Sequence, residues 1–228
     1  MLLLAIDTST TAITAALCDG DSVLAEATTL DARAHAEHLA PGIRTVLADV
    51  GARPADVTDV AVGTGPGPFT GLRVGIATAR TFAFALGVPV HGVCSLDALA
   101  HAAWLAEPER AGELLVATDA RRKEVYAAVY RLSASGAERV DGPCVSRAAD
   151  LPEPVRSLPA VGRGPLLYPG ALPHGAPPLD VSAGTLADLA VRRLRAGERL
   201  PGVDPLYLRR PDAAPTGSTG PSRKSTLG

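Results

Sequence analysis

Apolar positions along the first hundred residues follow two periods, and the change between them organises the chain. Residues 2–8 open as a continuous apolar run that ends at Asp7 and Thr8, which predicts a strand buried on both faces. A second strand is predicted at 12–18, after the turn residues Thr8 to Thr11. Asp19-Gly20-Asp21 then separates it from a third strand at 22–30. These connections are too short for crossovers, so the three strands are expected to be antiparallel. Beyond residue 34 the period lengthens. Leu39, Ile43, Val46, Leu47 and Val50 fall on one face of a helix over 35–50, closed by Gly51, with Pro41 either in its first turn or kinking it. A strand at 58–63, a Gly/Pro loop at 63–68, a helix at 70–86 closed by Gly87 and a strand at 88–93 follow. Ser95 is a suitable N-cap for a further helix reaching about Leu105.

Three antiparallel strands followed by α/β crossovers describe a mixed sheet with helices packed on it. This is the order of the ribonuclease-H-like unit shared by actin, sugar kinases and Hsp70. The second half is less regular. Residues 114–120 and 124–132 are expected to form a strand pair, 158–162 another strand and 186–195 a helix, while Pro and Gly crowd 152–178. The expected fold class is therefore α/β with mixed sheets. It divides into a ribonuclease-H-like lobe at 1–106, a smaller, loop-rich lobe at 107–210 and a Pro/Ala/Ser/Thr/Gly tail at 211–228, expected to be disordered.

Composition narrows the function classes. The 228 residues carry 22 cations and 24 anions, a net charge of −2, which argues against a protein that clamps nucleic acid by itself. Only Lys123 and Lys224 among the cations are lysine, a bias that runs with abundant Ala and points to coding composition. Cys18, Cys94 and Cys144 are far apart and form no CxxC pair, so no disulfide framework or zinc knuckle is suggested. The apolar start at 1–6 lacks a basic leader and is too short for a signal core or membrane span, so a cytoplasmic location is expected.

Candidate chemistry lies in a few segments. Asp7, Thr8, Ser9 and Thr10 place an acid and three hydroxyls at one strand end, able to meet a phosphate or a hydrated metal ion or to form an ordinary turn. Gly63 to Arg73 runs from a strand into a helix, so Gly65, Gly67 and Thr70 are candidate phosphate contacts. The loop is neither a Walker A nor a dinucleotide fingerprint, and Pro66 and Pro68 remove amide donors from it. Gly71, Gly75, Ala79 and Ala83 recur every four residues, a small-residue stripe that would let another helix approach closely. Arg73 and Arg80 flank that helix, with Phe82 and Phe84 beyond. The stripe suits either packing on the chain's own sheet or docking of another subunit. His35 and His38 lack a third ligand and are read as a solvated helix start, so no metal site is expected. Asp119 to Tyr126 brings mixed charges to a hairpin turn, and no Ser–His–Asp or Cys–His set can be assembled.

Taken together, several segments resemble the TsaB (YeaZ) family. They are Ala5 to Thr10, His35 to Pro41, Gly65 to Gly75, Gly92 to Asp97, Asp119 to Arg121 with Glu124 to Tyr126, and Pro205 to Arg209. The likeness spans about residues 1–210, and the Gly-Pro-Gly loop with Phe-Thr-Gly-Leu-Arg is its most specific part. Pro68 departs from the serine usual there. The resemblance implies an actin-like, two-lobed (ASKHA) fold and work in making threonylcarbamoyladenosine beside the anticodon of tRNAs reading codons that begin with A. It further implies a non-catalytic subunit that supports the related catalytic subunit TsaD, with the ATPase TsaE joining and tRNA met indirectly through the complex. Members pair through a four-helix bundle built from the first two helices of each partner. That makes His38, Leu39, Gly71, Arg73, Gly75, Ala79, Arg80 and Ala83 the expected interface, and a homodimer through the same helices is the expectation where the partner is absent. No intrinsic cofactor is implied; ATP or ADP at the junction of the complex is the candidate ligand. The competing function is an actin-like ATP-dependent phosphotransferase or ATPase using Asp7, Thr8 and the 65–67 loop. A peptidase, the historical label of the wider family, lacks an assembled nucleophile.

Overall fold

The computed structural model describes residues 1–31 and 34–209, built on two five-stranded sheets. The first contains β1 (Leu3–Asp7), β2 (Ala12–Cys18), β3 (Val23–Leu30), β4 (Asp59–Gly63) and β5 (Val90–Val93), in the order β3-β2-β1-β4-β5. β2 pairs antiparallel with β1 and β3, whereas β4 pairs parallel with β1 and β5. The second contains β6 (Gly112–Asp119), β7 (Glu124–Ser133), β8 (Gly136–Arg147), β9 (Ala160–Val161) and β10 (Gly175–Ala176). Its order is β10-β9-β6-β7-β8, again with three antiparallel strands flanked by parallel ones. The two sheets thus repeat one strand plan, and the chain is an α/β protein of actin-like, two-lobed architecture.

Helices α1 (His35–Asp49) and α2 (Phe69–Leu86) cover one face of the first sheet. The other face meets α3 (Ser95–Ala106) and α6 (Ala183–Arg195), with the short helices α4 (Glu153–Arg156) and α5 (Arg163–Leu167) beside the second sheet. β1 is buried on both sides, as its unbroken apolar run requires. Leu4 and Ile6 join the α1/α2 core, while Leu3 and Ala5 join a core that continues through α3 and α6 to Leu114, Val116 and Tyr130 of the second sheet. Elements of 107–210 are therefore shared between the sheets: α6 packs on β1 and β2, and residues 201–206 hydrogen-bond to Gly92 and Thr64.

Three local expectations change. Strand β8 lies along the outer edge of its sheet, mostly exposed, and carries Gly142 and Pro143 at a register shift, so it lacks the apolar alternation that marks a strand. The 152–178 stretch contains α4, α5 and β10 as well as loop. Ser95 is the first residue of α3 and caps nothing; Cys94 precedes it and Ser95 Oγ is directed to Asp7. The expected tail at 211–228 lies outside the described residues.

The small-residue stripe of α2 faces inward. Gly71, Gly75, Ala79 and Ala83 are all buried, Ala79 completely, against the α1/sheet core. Thr8 explains the two glycines. Its hydroxyl donates to the Gly71 carbonyl at 2.7 Å and accepts from the Gly75 N–H at 3.1 Å. A Cβ at Gly75 would overlap that oxygen. The stripe is thus packing within the chain, not a docking face, and a bulky residue at Gly75 tests folding. Helix propensity alone would make Gly75→Ala stabilising by about 1 kcal/mol. The Thr8 contact reverses the sign, so we expect a loss of about 1–3 kcal/mol in urea unfolding. The Thr8→Ala, Gly75→Ala pair should recover part of the Gly75→Ala loss, and strict additivity would show that the contact does not govern this helix.

Candidate functional site

Asp7 closes β1 at the end of the sheet and is completely buried. Its Oδ1 accepts from the Ser9 N–H at 2.7 Å and the Ser9 hydroxyl at 2.8 Å, while Oδ2 accepts from Ser95 Oγ at 2.7 Å. Ser95 Oγ accepts in turn from the Gly65 N–H at 3.1 Å. Gly63 must lack a side chain, because a Cβ there would fall on Asp7 Oδ2, and a Cβ at Gly67 would overlap the Ser9 backbone. The turn at 7–10 and the loop at 63–68 are therefore packed tightly together.

This arrangement corrects the phosphate-contact expectation. Asp7, Thr8, Ser9, Gly65 and Gly67 do converge, but every one is buried; Thr70 alone faces solvent. The place an anion would take at the turn is held by the chain's own carboxylate, because Thr11 N–H donates to Asp180 Oδ1 at 3.2 Å. Arg163 grips Asp180 through bonds of 2.6 to 3.0 Å. Between the lobes, Ser9, Thr10, Thr118, Asp119, Arg163 and Asp180 line a cavity of about 20 Å³, room for one water. Asp180 and Arg163 carried no local signal in the sequence; they lie some 170 and 150 residues from the turn they close.

The interface expectation divides in the same way. Leu39 belongs to the core with the α2 stripe, and His38 is half-buried, 3.9 Å from Asp31. Arg73 and Arg80 are exposed. The outward face of α2 is instead Ala77, Arg80, Thr81, Phe84 and Ala85, with Phe84 89% exposed. On α1, Ala40, Arg44 and Ala48 are exposed as well. Phe84, an aromatic at a position off the small-residue stripe, marks this outward face in the sequence, and the glycines mark the opposite, buried side.

A third assembly joins three of the segments singled out in the sequence. Arg209 donates to the Ala120 carbonyl at 3.1 Å and pairs with Glu124, fixing residues 205–209 to the β6–β7 hairpin. Leu206 N–H bonds the Thr64 carbonyl, and Arg73 Nε donates to Tyr207 Oη at 2.7 Å. The Arg73 guanidinium lies 3.7 Å over the Phe69 ring, which stacks with Tyr207 at 5.4 Å. Phe69, Tyr207 and Arg209, with Ala120, Arg121 and Tyr126 opposite, line an open groove of about 420 Å³.

Burial raises the Asp7 carboxyl above its ordinary value near 3.8, against the opposing hydrogen bonds from Ser95 and Ser9. Stability owed to this group is thus fully present below pH 3.8 and lost as the pH rises through its folded-state value. Asp7→Asn removes that dependence. Its melting temperature relative to wild type should therefore rise from pH 4 to pH 7; a flat or falling difference would refute the assignment.

Comparisons with known proteins agree with this geometry. The family model described as "TsaD: tRNA N6-adenosine threonylcarbamoyltransferase" matches residues 22–159. An uncharacterized protein of Mycobacterium tuberculosis is 44% identical over 215 residues, 93% of each chain. The tRNA threonylcarbamoyladenosine biosynthesis protein TsaB of Escherichia coli is 38% identical over 136 residues, 60% of this chain and 58% of that one. The solved structure of YeaZ from Pseudomonas aeruginosa superposes with a TM-score of 0.78 at 30% identity, covering 91% of this chain and 99% of that one. A shared sheet plan, a matching family model and a YeaZ structure that follows the chain almost end to end lead to one conclusion: the chain belongs to the TsaB (YeaZ) family.

Proposed function

We propose that the chain acts in forming threonylcarbamoyladenosine on tRNA, as a non-catalytic subunit that pairs with a TsaD-type catalytic subunit. The observation that carries this reading is the outward face of α2, where Phe84 stands 89% exposed beside Ala77, Thr81 and Ala85. A large aromatic in water among small neighbours is the composition of an interface anchor with room for a partner helix. The paired α1 and α2 offer the two helices that a four-helix bundle needs. The engaged Asp7 supports a supporting role. Its carboxyl is wholly buried and bonded to Ser9 and Ser95, so it faces no solvent where a nucleotide or its metal ion would sit, which counts against the phosphotransferase reading.

In this role the chain contributes surface, holding the catalytic subunit in its working conformation without moving a proton itself. A TsaE-type ATPase joins the assembly in the cytoplasm, ATP or ADP binds at the junction of subunits, and no cofactor belongs to this chain alone. The modified adenosine lies beside the anticodon of tRNAs reading codons that begin with A. Without its partner, the same helix face pairs two copies of the chain.

Phe84→Asp and Ala77→Arg place charge on this face without touching the core. Both should leave the melting temperature within a degree or two of wild type. Each should weaken co-purification with the TsaD-type subunit at least ~30-fold, the ~2 kcal/mol of an anchor residue. Loss of threonylcarbamoyladenosine from tRNA in cells carrying only the variant should follow. Pairing that survives both substitutions would place the interface elsewhere.

A further inference from the structure

The groove beside Phe69 and Tyr207 takes no part in the pairing of subunits, and its walls are mostly apolar. Pro68 and Phe69 at the start of α2, Ala120 and Tyr126 of the β6–β7 hairpin, and Tyr207 and Leu208 line it. Charge at its margin is engaged within the chain, Arg121 with Asp119 and Arg209 with Glu124. Phe69 and Tyr207, stacked on one another, nonetheless keep 48% and 42% of their surface in solvent. Adjoining aromatic rings left open to water mark a surface that another apolar segment covers. The nearest such segment belongs to the chain itself. Arg209 lines the groove, and the sequence continues from it as Arg210-Pro211-Asp212-Ala213-Ala214-Pro215. Two residues on, the Cα of Pro211 lies within ~7 Å of that of Arg209 by chain geometry alone. Beyond Pro215 the sequence turns to Thr, Gly and Ser, with apolar side chains only at Pro221 and Leu227.

We infer that Pro211 to Pro215 seat in this groove, the chain's own proline segment docking on the Phe69–Tyr207 wall. Proline segments dock on aromatic-lined grooves because their extended polyproline geometry is preformed, so little further entropy is lost on binding. Pro211 also holds Arg210 away from helical backbone, which favours an extended path out of Arg209. With three residues per polyproline turn, Pro211 and Ala214 share one edge, and Asp212 and Pro215 share the next. Apolar groups thus stand on two adjoining edges, as a groove with two walls requires. A second copy or a foreign peptide would have to displace a segment tethered beside the site, at an effective concentration on the order of millimolar. Docking shortens the tail expected to be disordered from 211–228 to 216–228. The inference is independent of the tRNA reading, since it needs this chain alone.

The test is fluorescence anisotropy of a labelled peptide spanning 210–217, titrated with the full chain and with a chain ending at Arg209. The three hydrophobic cores are built from residues up to Leu208, so the shorter chain keeps its fold. The peptide should bind the shorter chain at least ~10-fold more tightly than the full chain, whose own segment holds the groove. The full chain carrying both Pro211→Ser and Pro215→Ser should bind the peptide as the shorter chain does, which frees the test from the truncation. In the shorter chain Tyr207→Ala should lose ~5-fold or more while Tyr207→Phe retains affinity. Phe84→Asp, on the outward face of α2, should leave peptide binding unchanged. Affinity should vary less than ~2-fold between 50 and 200 mM salt, since packing and not charge carries the contact. The inference is overturned by equal affinity for the full and shorter chains or by no binding to the shorter one. It is overturned equally by a double-proline variant that excludes the peptide as wild type does, or by a steep salt response.

Discussion

The fold depends on keeping the Asp7 carboxylate satisfied away from water. A buried carboxylate without donors costs far more than a domain's net stability, so its surroundings are constrained first and the rest is arranged around them. Three oxygen-directed bonds from Ser9 and Ser95 meet that need. To deliver Ser95, α3 must begin beside the end of β1, and to make room for Oδ2, β4 must end in a residue without a side chain, Gly63. Ser95 Oγ then accepts from Gly65, which draws the 63–68 loop against the same point. Loop and turn are so close that Gly67 also has no space for a Cβ. From this junction α2 leaves along the sheet, and Thr8 holds its first two turns through Gly71 and Gly75.

The same junction fills the cleft of this two-lobed architecture. In this layout the strand ends of the two lobes face each other across a cleft. Here the cleft is occupied by the chain itself: Asp180 takes the backbone donor of Thr11, and Arg163 neutralises Asp180. A core shared by α3, α6 and both sheets, together with the 201–209 segment that crosses from Thr64 to the β6–β7 hairpin, ties the lobes to one another. Exposed side chains remain on the α1/α2 face and in the groove beside Phe69 and Tyr207.

Much of the first lobe was legible in the sequence because its elements obey one physical rule each. β1 and β2 are apolar on consecutive positions since both faces are covered, and α1 shows a stripe since only one of its faces is. The second lobe followed that rule less well. β8 is an edge strand whose side chains are mostly in water, so burial imposed no alternation on it, and β9 and β10 are two residues each, shorter than any period can show. The motifs of the TsaB (YeaZ) family were recognisable as strings, but their neighbours were not. Gly65 to Gly75 and Pro205 to Arg209 meet only because residues far apart in the chain return to the same groove.

The small-residue stripe of α2 marks the boundary between the two kinds of information. Spacing by four determined that Gly71, Gly75, Ala79 and Ala83 share one face and that something approaches it closely. Spacing carries no direction, because a helix looks the same to its own sheet and to a partner. Only the tertiary structure decided that Thr8 and the sheet lie on that side, which turns Ala77, Thr81 and Phe84 outward. Local periodicity reports which residues are covered, since covering acts on each element separately; what covers them is settled by where the rest of the chain comes to lie.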